Sequence, residues 1–175
     1  MKSIFLSISL LFTIVTYSQV AIGKTSISSP AVSLEFYDNA DNAKGIILPW
    51  VTSTAAVNGA VNGTLVYNTA DKKIYVKYAS GWKDLSIDTT GKVTTNLQDP
   101  LTEQETAKVM IGGNPSTDTT SGILILADTN KAMVLPKVAS PHLNIVNPEP
   151  GMIVYDSTAK QLAVFNGMVW SFWKP

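Results

Sequence analysis

The sequence contains no cysteine, which excludes disulfide bonds, thiol nucleophiles, cysteine-ligated zinc and a lipid anchor on cysteine. It also contains no arginine, so it lacks the planar side chain that binds phosphates and carboxylates through two parallel hydrogen bonds. Its 13 basic residues balance 13 acidic ones. Because nucleic acids and anionic membranes attract a basic excess, neither is expected as a partner. A hydrophobic content of 45% predicts a folded chain.

Groups that perform acid–base chemistry are few and scattered. His142 is the only histidine of the sequence, and it follows Pro141 in a predicted surface loop. The carboxylates stand singly, and neither a glycine-rich phosphate loop nor a G-x-S-x-G motif occurs. We therefore predict that the protein is not an enzyme and has no catalytic residue and no cofactor.

One loop has the oxygen-rich composition that suits calcium. Asp38 and Asp41 stand three residues apart, with Asn39 and Asn42 beside them. Their spacing does not match the EF-hand pattern, and an internal copy of this segment keeps only Asp128. A polar turn is therefore the preferred interpretation, and no metal site is predicted.

The N-terminus has the organisation of a secretory signal peptide. Lys2 precedes an apolar run of about 12 residues, and small or polar residues follow up to Gln19. The run is shorter than the roughly 20 apolar residues that cross a bilayer. We predict that 1–19 is removed, that the protein is secreted or lies at the cell surface, and that the mature chain does not span a membrane.

The rest of the chain repeats itself. Four landmarks recur in the same order at offsets of 87 to 89 residues, and the small drift fits loop insertions. The paired landmarks are 20–23 with 109–112, 44–51 with 131–138, 63–69 with 151–157, and Trp82 with Trp170. We therefore predict a first repeat at 20–86, a linker at 87–108 and a second repeat at 109–175.

Both repeats have the pattern of β-strands. Residues 65–67 and 153–155 are apolar, β-branched or aromatic, and each segment follows closely after a glycine. Alternating apolar residues and turn-prone segments then lead to a last strand that contains Trp82 or Trp170. The pattern predicts a three-stranded antiparallel meander in each repeat.

Short apolar segments at 46–48 and 133–135 precede each meander and stop at a proline, which suits the end of a strand. The residues that follow, 53–61 and 140–146, predict one or two helical turns. The linker carries helix-start signals and predicts an ordered spacer with one helical turn. The predicted fold is mainly β: two tandem small antiparallel β-meander units with short helical turns, arranged like a fibre.

Size and exposed edges favour an oligomer. Each repeat has only about 70 residues without a disulfide, and a core of that size is marginal on its own. A meander also exposes strand edges. Phe165 points away from Leu162 and Val164, so the second repeat is predicted to bury both faces of this strand. We predict a homo-oligomer, and specifically a homotrimer.

Tryptophans are the remaining candidates for ligand binding. Trp82 and Trp170 are equivalent in the two repeats and are interpreted as core residues. Trp50 has Lys137 at the equivalent position, so the fold does not require an aromatic ring there. Trp173 lies on the opposite strand face from Trp170. Trp50 and Trp173 are therefore the candidates for stacking on sugar rings.

The order of these motifs resembles a repeat of secreted Bacteroidetes proteins and is similar to segments of tailed-phage fibres. The motifs are Ile-Gly, Lys-Gly-x-x-x-Pro, Gly-x-x-x-Tyr-Asn-Thr and Gly-x-x-Trp, and they cover nearly all of the mature chain. The resemblance implies an extracellular, β-rich, often trimeric stalk or adhesin-like part without enzyme activity. The family has an arginine after the proline, where this chain has Trp50 and Lys137, so no role of that arginine carries over.

The same resemblance implies O-glycosylation at sequences of the type Asp-Ser/Thr-Thr, with Thr89, Thr119 and Ser157 as the acceptors. Two functions stay open at this point. One is a secreted structural or adhesive surface module of a fibre or stalk, and the other is a carbohydrate-binding protein that uses exposed aromatic side chains. Glycans or other surface proteins are the expected partners.

Overall fold

The computed structural model describes residues 19–37, 43–102, 104 and 106–174. These residues are mainly β with little helix, as the sequence predicts. The strands are β1 (Val20–Ile22), β2 (Val32–Phe36), β3 (Ile46–Ile47), β4 (Trp50–Val51), β5 (Leu65–Asn68), β6 (Lys73–Tyr78), β7 (Gly81–Asp84), β8 (Val109–Ile111), β9 (Leu124–Leu126), β10 (Ala132–Val134), β11 (Lys137–Val138), β12 (Met152–Asp156), β13 (Gln161–Phe165) and β14 (Trp170–Trp173).

Helical structure is short and lies where it is expected. A 3₁₀ turn spans Thr54–Ala56, and helix α1 spans Pro141–Asn144. The described part of 87–108 contains turns, one of them closed by a hydrogen bond from the N–H of Asp99 to the carbonyl oxygen of Thr95, and no helix lies among its described residues. Residues 1–18 of the predicted signal peptide and the Asp38 and Asp41 loop lie outside the described residues.

Two antiparallel ladders form the most regular parts of the fold. β5, β6 and β7 make one, and β12, β13 and β14 make the other. Tyr67 lies opposite Ile74, and Tyr155 lies opposite Leu162, so both ladders have the same register at an offset of 88 residues. Apolar alternation and the turns between the strands therefore predicted these hairpins correctly.

Parallel pairs bring the chain back alongside itself. β1 pairs with β2, β4 with β5, β8 with β9 and β11 with β12. The partners are separated by 14 residues for Val20 and Leu34 and by 18 residues for Lys137 and Tyr155. Because parallel neighbours require the chain to return to the same end of the sheet, each pair marks one coil. The overall path is a β-solenoid of about eight turns, into which the antiparallel ladders are built.

The prediction of two separate meander units is wrong, because the repeats exchange strands. β3 of the first repeat pairs antiparallel with β12 of the second, and β10 of the second repeat pairs parallel with β2 of the first. Each repeat alone would leave the backbone N–H and C=O groups of these edges without partners. Pairing across the repeats supplies those partners, which independent units could not do.

The core lies on both faces of β13. Val164 belongs to a cluster shared by the two repeats, whose other buried members are Leu48, Tyr67, Ile74, Leu85 and Ile153. Ala163 and Phe165 belong to a second cluster within the second repeat. Trp173 packs against the first cluster and Trp170 against the second. Both faces of the strand are thus buried, as the position of Phe165 predicts.

Candidate functional site: the joint between the repeats

The described part of the chain offers no cluster of metal-binding side chains. No group of three or more His, Cys, Asp or Glu side chains is placed there to hold a metal ion. No helix among the same residues is long and apolar enough to cross a membrane. His142 is exposed on α1, and its ring lies nearly perpendicular to the ring of Phe172, with 5.7 Å between the two centroids. The most extensively built feature is instead the contact between the repeats.

We call this contact the joint: the face of the first repeat around Leu48, Trp50 and Tyr67, together with the edge of the second repeat around Gly151 and Met152. β3 pairs with β12 there, with Ile47 opposite Met152. The N–H of Leu48 then donates to the carbonyl oxygen of Gly151 at 3.1 Å. The joint therefore begins as a continuation of the sheet from one repeat into the other.

Two aromatic side chains of the first repeat complete the joint. Tyr67 is 0% exposed, and its hydroxyl donates to the carbonyl oxygen of Asn166 at 2.9 Å. The indole N–H of Trp50 donates to the carbonyl oxygen of Pro150, also at 2.9 Å. Burial, with a further contribution from Asp71, raises the pKa of Tyr67 to about 12. The hydroxyl is consequently protonated, and available as a donor, at every pH at which the protein is expected to work.

Two glycines allow the repeats to approach this closely. Gly151 has a φ of +83°, and a Cβ atom there would lie 2.8 Å from the Cβ of Tyr67. At Gly45 a Cβ atom would lie 2.5 Å from Cγ of Met152 and 2.7 Å from Cγ1 of Val154. Side chains at either position would force the repeats apart, since real Cβ atoms do not come so near their neighbours.

The far end of the joint is held by polar contacts to the start of the linker. The indole N–H of Trp173 donates to the carbonyl oxygen of Leu85 at 2.5 Å, and the ammonium of Lys83 lies 5.8 Å from the ring centroid of Trp173. The N–H of Ile87 donates to Oγ of Ser171 at 3.1 Å. These bonds attach β14, the last strand of the second repeat, to the first repeat.

The repeats also meet at a second place, which we call the second seam, where β10 pairs with β2. A buried ion pair lies beside it. Glu35 is 1% exposed, and its carboxylate contacts the ammonium of Lys24 at 2.7 Å. It also accepts a hydrogen bond from the N–H of Ser28 at 2.7 Å. The hydrogen bond from Lys24, with that from Ser28, lowers the pKa of Glu35 from 4.5 to about 2. The carboxylate is therefore charged and paired within a strand that is otherwise apolar or small.

The two tryptophans predicted to stack on sugars both lie at the joint. Each is half-buried, packs against the core cluster shared by the repeats and uses its indole N–H to bond backbone of the other repeat. Trp170 is half-buried against Phe165, with ring centroids 5.3 Å apart, and Trp82 is also half-buried. Sugar stacking by Trp50 and Trp173 stays a prediction, whereas their contact between repeats is evident in the geometry.

The predicted glycan acceptors share one surface geometry. Thr89, Thr119 and Ser157 are all exposed. In each case the preceding aspartate accepts a hydrogen bond from the backbone N–H two residues further on, at 2.7 to 2.9 Å. Each acceptor is thus the central residue of a tight Asx turn, with its hydroxyl at the surface. Their modification stays a prediction.

Sequence reasoning missed Tyr67, Gly151 and Glu35 as contact residues. The signal available for the first two was their recurrence: Tyr67 is repeated as Tyr155, and Gly151 repeats Gly63. Glu35 gave no such signal, because the equivalent strand β9 is entirely apolar.

Comparison with known proteins bears on the second half of the chain. Residues 111–174 match the model of a family described as a phage tail like trimerisation region. No curated protein and no solved structure matches the chain. The match covers most of the second repeat and about a third of the chain, and it bears out in part the resemblance to tailed-phage fibres stated above.

Proposed function

We propose that this protein is a non-enzymatic structural module of a secreted, fibre-like surface assembly, and that it works as a homotrimer. The match of 111–174 to a trimerisation region carries the proposal. The β-rich solenoid path supports it, because such folds are extended and offer strand edges for lateral assembly. The scattered ionisable groups of the described residues give no support to an enzyme.

The oligomeric state is the decisive test. The chain without residues 1–19 should elute with the mass of three copies in size-exclusion chromatography with light scattering. The mass should stay constant on tenfold dilution, since obligate assemblies of small repeats are tight. A single-chain mass over the whole concentration range would refute the proposal.

Secretion and glycosylation extend this proposal to the native host. Protein recovered from the culture medium or cell surface should lack residues 1–19, and its intact mass should exceed that of the bare chain by glycans at Thr89, Thr119 or Ser157. An intact mass equal to the bare chain would refute the glycosylation. Carbohydrate recognition is tested on a glycan array. If the parent binds a glycan, and Trp173→Ala loses that binding while it remains a trimer, carbohydrate recognition would be added to the structural role.

A further inference from the structure

The second repeat carries its own copy of the face that the first repeat buries in the joint. Leu48 and Tyr67 are buried there, whereas their equivalents Leu135 and Tyr155 are not. The contrast is largest for the tyrosines: Tyr67 is 0% exposed and Tyr155 is 37% exposed. A shallow, mainly apolar groove runs over this copy of the face, lined by the half-buried Met133, Val134 and Leu135 and the exposed Lys137 and Tyr155. Leu135 also packs against the core cluster that the repeats share.

The first repeat carries the matching half of the joint, also unused. The edge of β12 at Met152 is covered by β3, but at Thr64 and Leu65, which are equivalent to Met152 and Ile153, no strand among the described residues covers the edge. Gly63 corresponds to Gly151. A Cβ atom at Gly63 would meet nothing within 4 Å, although its φ of +89° is almost the same as that of Gly151. The glycine backbone of the joint is thus present, with open space where Tyr67 packs in the other copy.

The second seam shows the same asymmetry and does so independently. β2 is buried and pairs with β1 and β10. Its counterpart β9 pairs only with β8 among the described strands. Leu124 lies opposite Val109 as Leu34 lies opposite the equivalent Val20, but Leu124 is 47% exposed and Leu34 only 1%. β3, the equivalent of β10, has one paired edge and exposes Ile47. The first repeat meets the second through β3 with β12 and through β2 with β10. If the second repeat met a further first repeat in the same way, the uncovered edges of β9 and of Thr64 and Leu65 would both be covered.

Differences between the repeats are compensated in size across this vacant joint. Within the chain, Gly45 lies against the large Met152, where even a Cβ atom would be too close. At the equivalent positions the chain has Ala132 and the smaller Thr64. In the filled joint the small Gly45 faces the large Met152, and in the vacant one the larger Ala132 would face the smaller Thr64. This exchange of sizes is what close packing of Ala132 against Thr64 requires.

We propose that the exposed face of the second repeat docks on the first repeat of a second copy of this chain, in the register of the joint. β10 then pairs antiparallel with Thr64 and Leu65 of that copy, placing Val134 opposite Thr64. Tyr155 packs over Gly63 and donates its hydroxyl to the carbonyl oxygen of Tyr78, the equivalent of Asn166. β3 of that copy pairs with β9 of the docking chain, just as β10 pairs with β2 within one chain.

This contact rests on the proposed function and specifies how its copies meet. The two surfaces differ, so the contact is heterologous and runs head to tail. Three chains would close a ring of six repeats in which every joint is filled. If the rotation does not close, the same contact extends into a filament.

Engineered cysteines test the register, and the absence of native cysteine leaves them without competitors. Residues directly opposite on antiparallel strands have Cα atoms about 4.5 to 5.5 Å apart, within the range of a disulfide. Thr64→Cys and Val134→Cys chains should be unfolded together, refolded together and mildly oxidised. The expected product is a disulfide-linked pair that forms in the mixture and in neither variant alone.

Matched variants make the outcome decisive. Ile47→Cys with Met152→Cys places the cysteines at the same register inside one chain and should close without any increase in mass. Val134→Cys mixed with Leu143→Cys, on the exposed face of α1, should give no linked pair. Tyr155→Lys should keep the β-sheet circular dichroism of the parent while light scattering shows at least a tenfold weaker association.

The possible failures are distinguishable. If light scattering shows a trimer but the Thr64 and Val134 variants do not cross-link, the docking register is refuted while the trimeric function stands. If the parent chain is a monomer at all concentrations, both are refuted. A Tyr155→Lys variant that assembles as tightly as the parent also overturns the proposed contact.

Discussion

Replacement of Lys24 by methionine tests whether β2 is stabilised by its buried ion pair. The change keeps much of the length of the side chain but removes the charge that lies 2.7 Å from the carboxylate of Glu35. That carboxylate is 1% exposed, so it cannot regain water without opening the strand. The negative charge would be left with the hydrogen bonds from the backbone N–H and the side chain of Ser28.

The expected cost follows from burial. Removing one partner of a buried pair typically costs about 3 to 5 kcal/mol of unfolding free energy. Lys24 is 16% exposed and the bond from Ser28 remains, so we expect about 2 to 3 kcal/mol for Lys24→Met. The more exposed pair of Lys73 and Asp84 has the same 2.7 Å separation, and there Lys73→Met should cost less than about 1 kcal/mol.

The pH dependence separates this charge effect from lost packing. The pKa of Glu35 is lowered in the folded protein to about 2 from 4.5. Its stabilising contribution is therefore complete above about pH 4.5 and is lost as the pH falls towards 2. In Glu35→Gln this part of the pH dependence should be missing. Urea unfolding at one fixed chain concentration, repeated from pH 7 to pH 2.5, measures both effects. Equal losses for the Lys24 and Lys73 variants at pH 7 would refute the reasoning.

Two further substitutions test the joint itself. Tyr67→Phe should lower the free energy of unfolding by about 1 to 2 kcal/mol, because it leaves the buried carbonyl of Asn166 without its donor, whereas Tyr75→Phe, which loses only an exposed bond to Asp71, should change it by less than about 0.5 kcal/mol. Gly45→Ala should cost about 1 to 3 kcal/mol through the clash with Met152, whereas Ala132→Gly at the equivalent position should cost no more than about 1 kcal/mol. Urea unfolding curves measure each pair, and indistinguishable values within either pair would contradict the packing described for the joint.

Local patterns in the sequence were sufficient for the hairpins. Alternation and turn residues located β5 to β7 and β12 to β14, and the strand period assigned Trp170 and Trp173 to opposite faces. These features depend on neighbours within about 15 residues, and side-chain periodicity reports directly on them. The duplication also transferred correctly, since both ladders have the same register.

Partners across the repeats were beyond such reasoning. Periodicity shows which face of a strand is buried but does not show which edge pairs with which strand. β2 and β10 are about 100 residues apart. Val32–Phe36 alternates apolar and polar residues, but Ser33 and Glu35 are as fully buried as Val32 and Leu34, so the alternation does not report the covered edge and face. No local pattern predicts the burial of Glu35 in β2, because its partner Lys24 lies outside that strand. The candidate site was missed for the same reason: the joint consists of non-local contacts only.

Two repeats joined in this way leave edges uncovered among the residues that the structure describes. Linked head to tail, two repeats form one joint and leave one docking face and one receiving edge at the ends. Adding repeats of the same kind would move these ends apart without filling them, whereas contact with a second chain would fill both. Tyr155 fits contact between chains, because its ring is 37% exposed beside a mainly apolar groove. Gly63 has a positive φ that itself requires glycine, and it leaves open the space that such a ring would occupy. The geometry of a filled joint, present once within the chain, thus defines the surfaces by which further copies add.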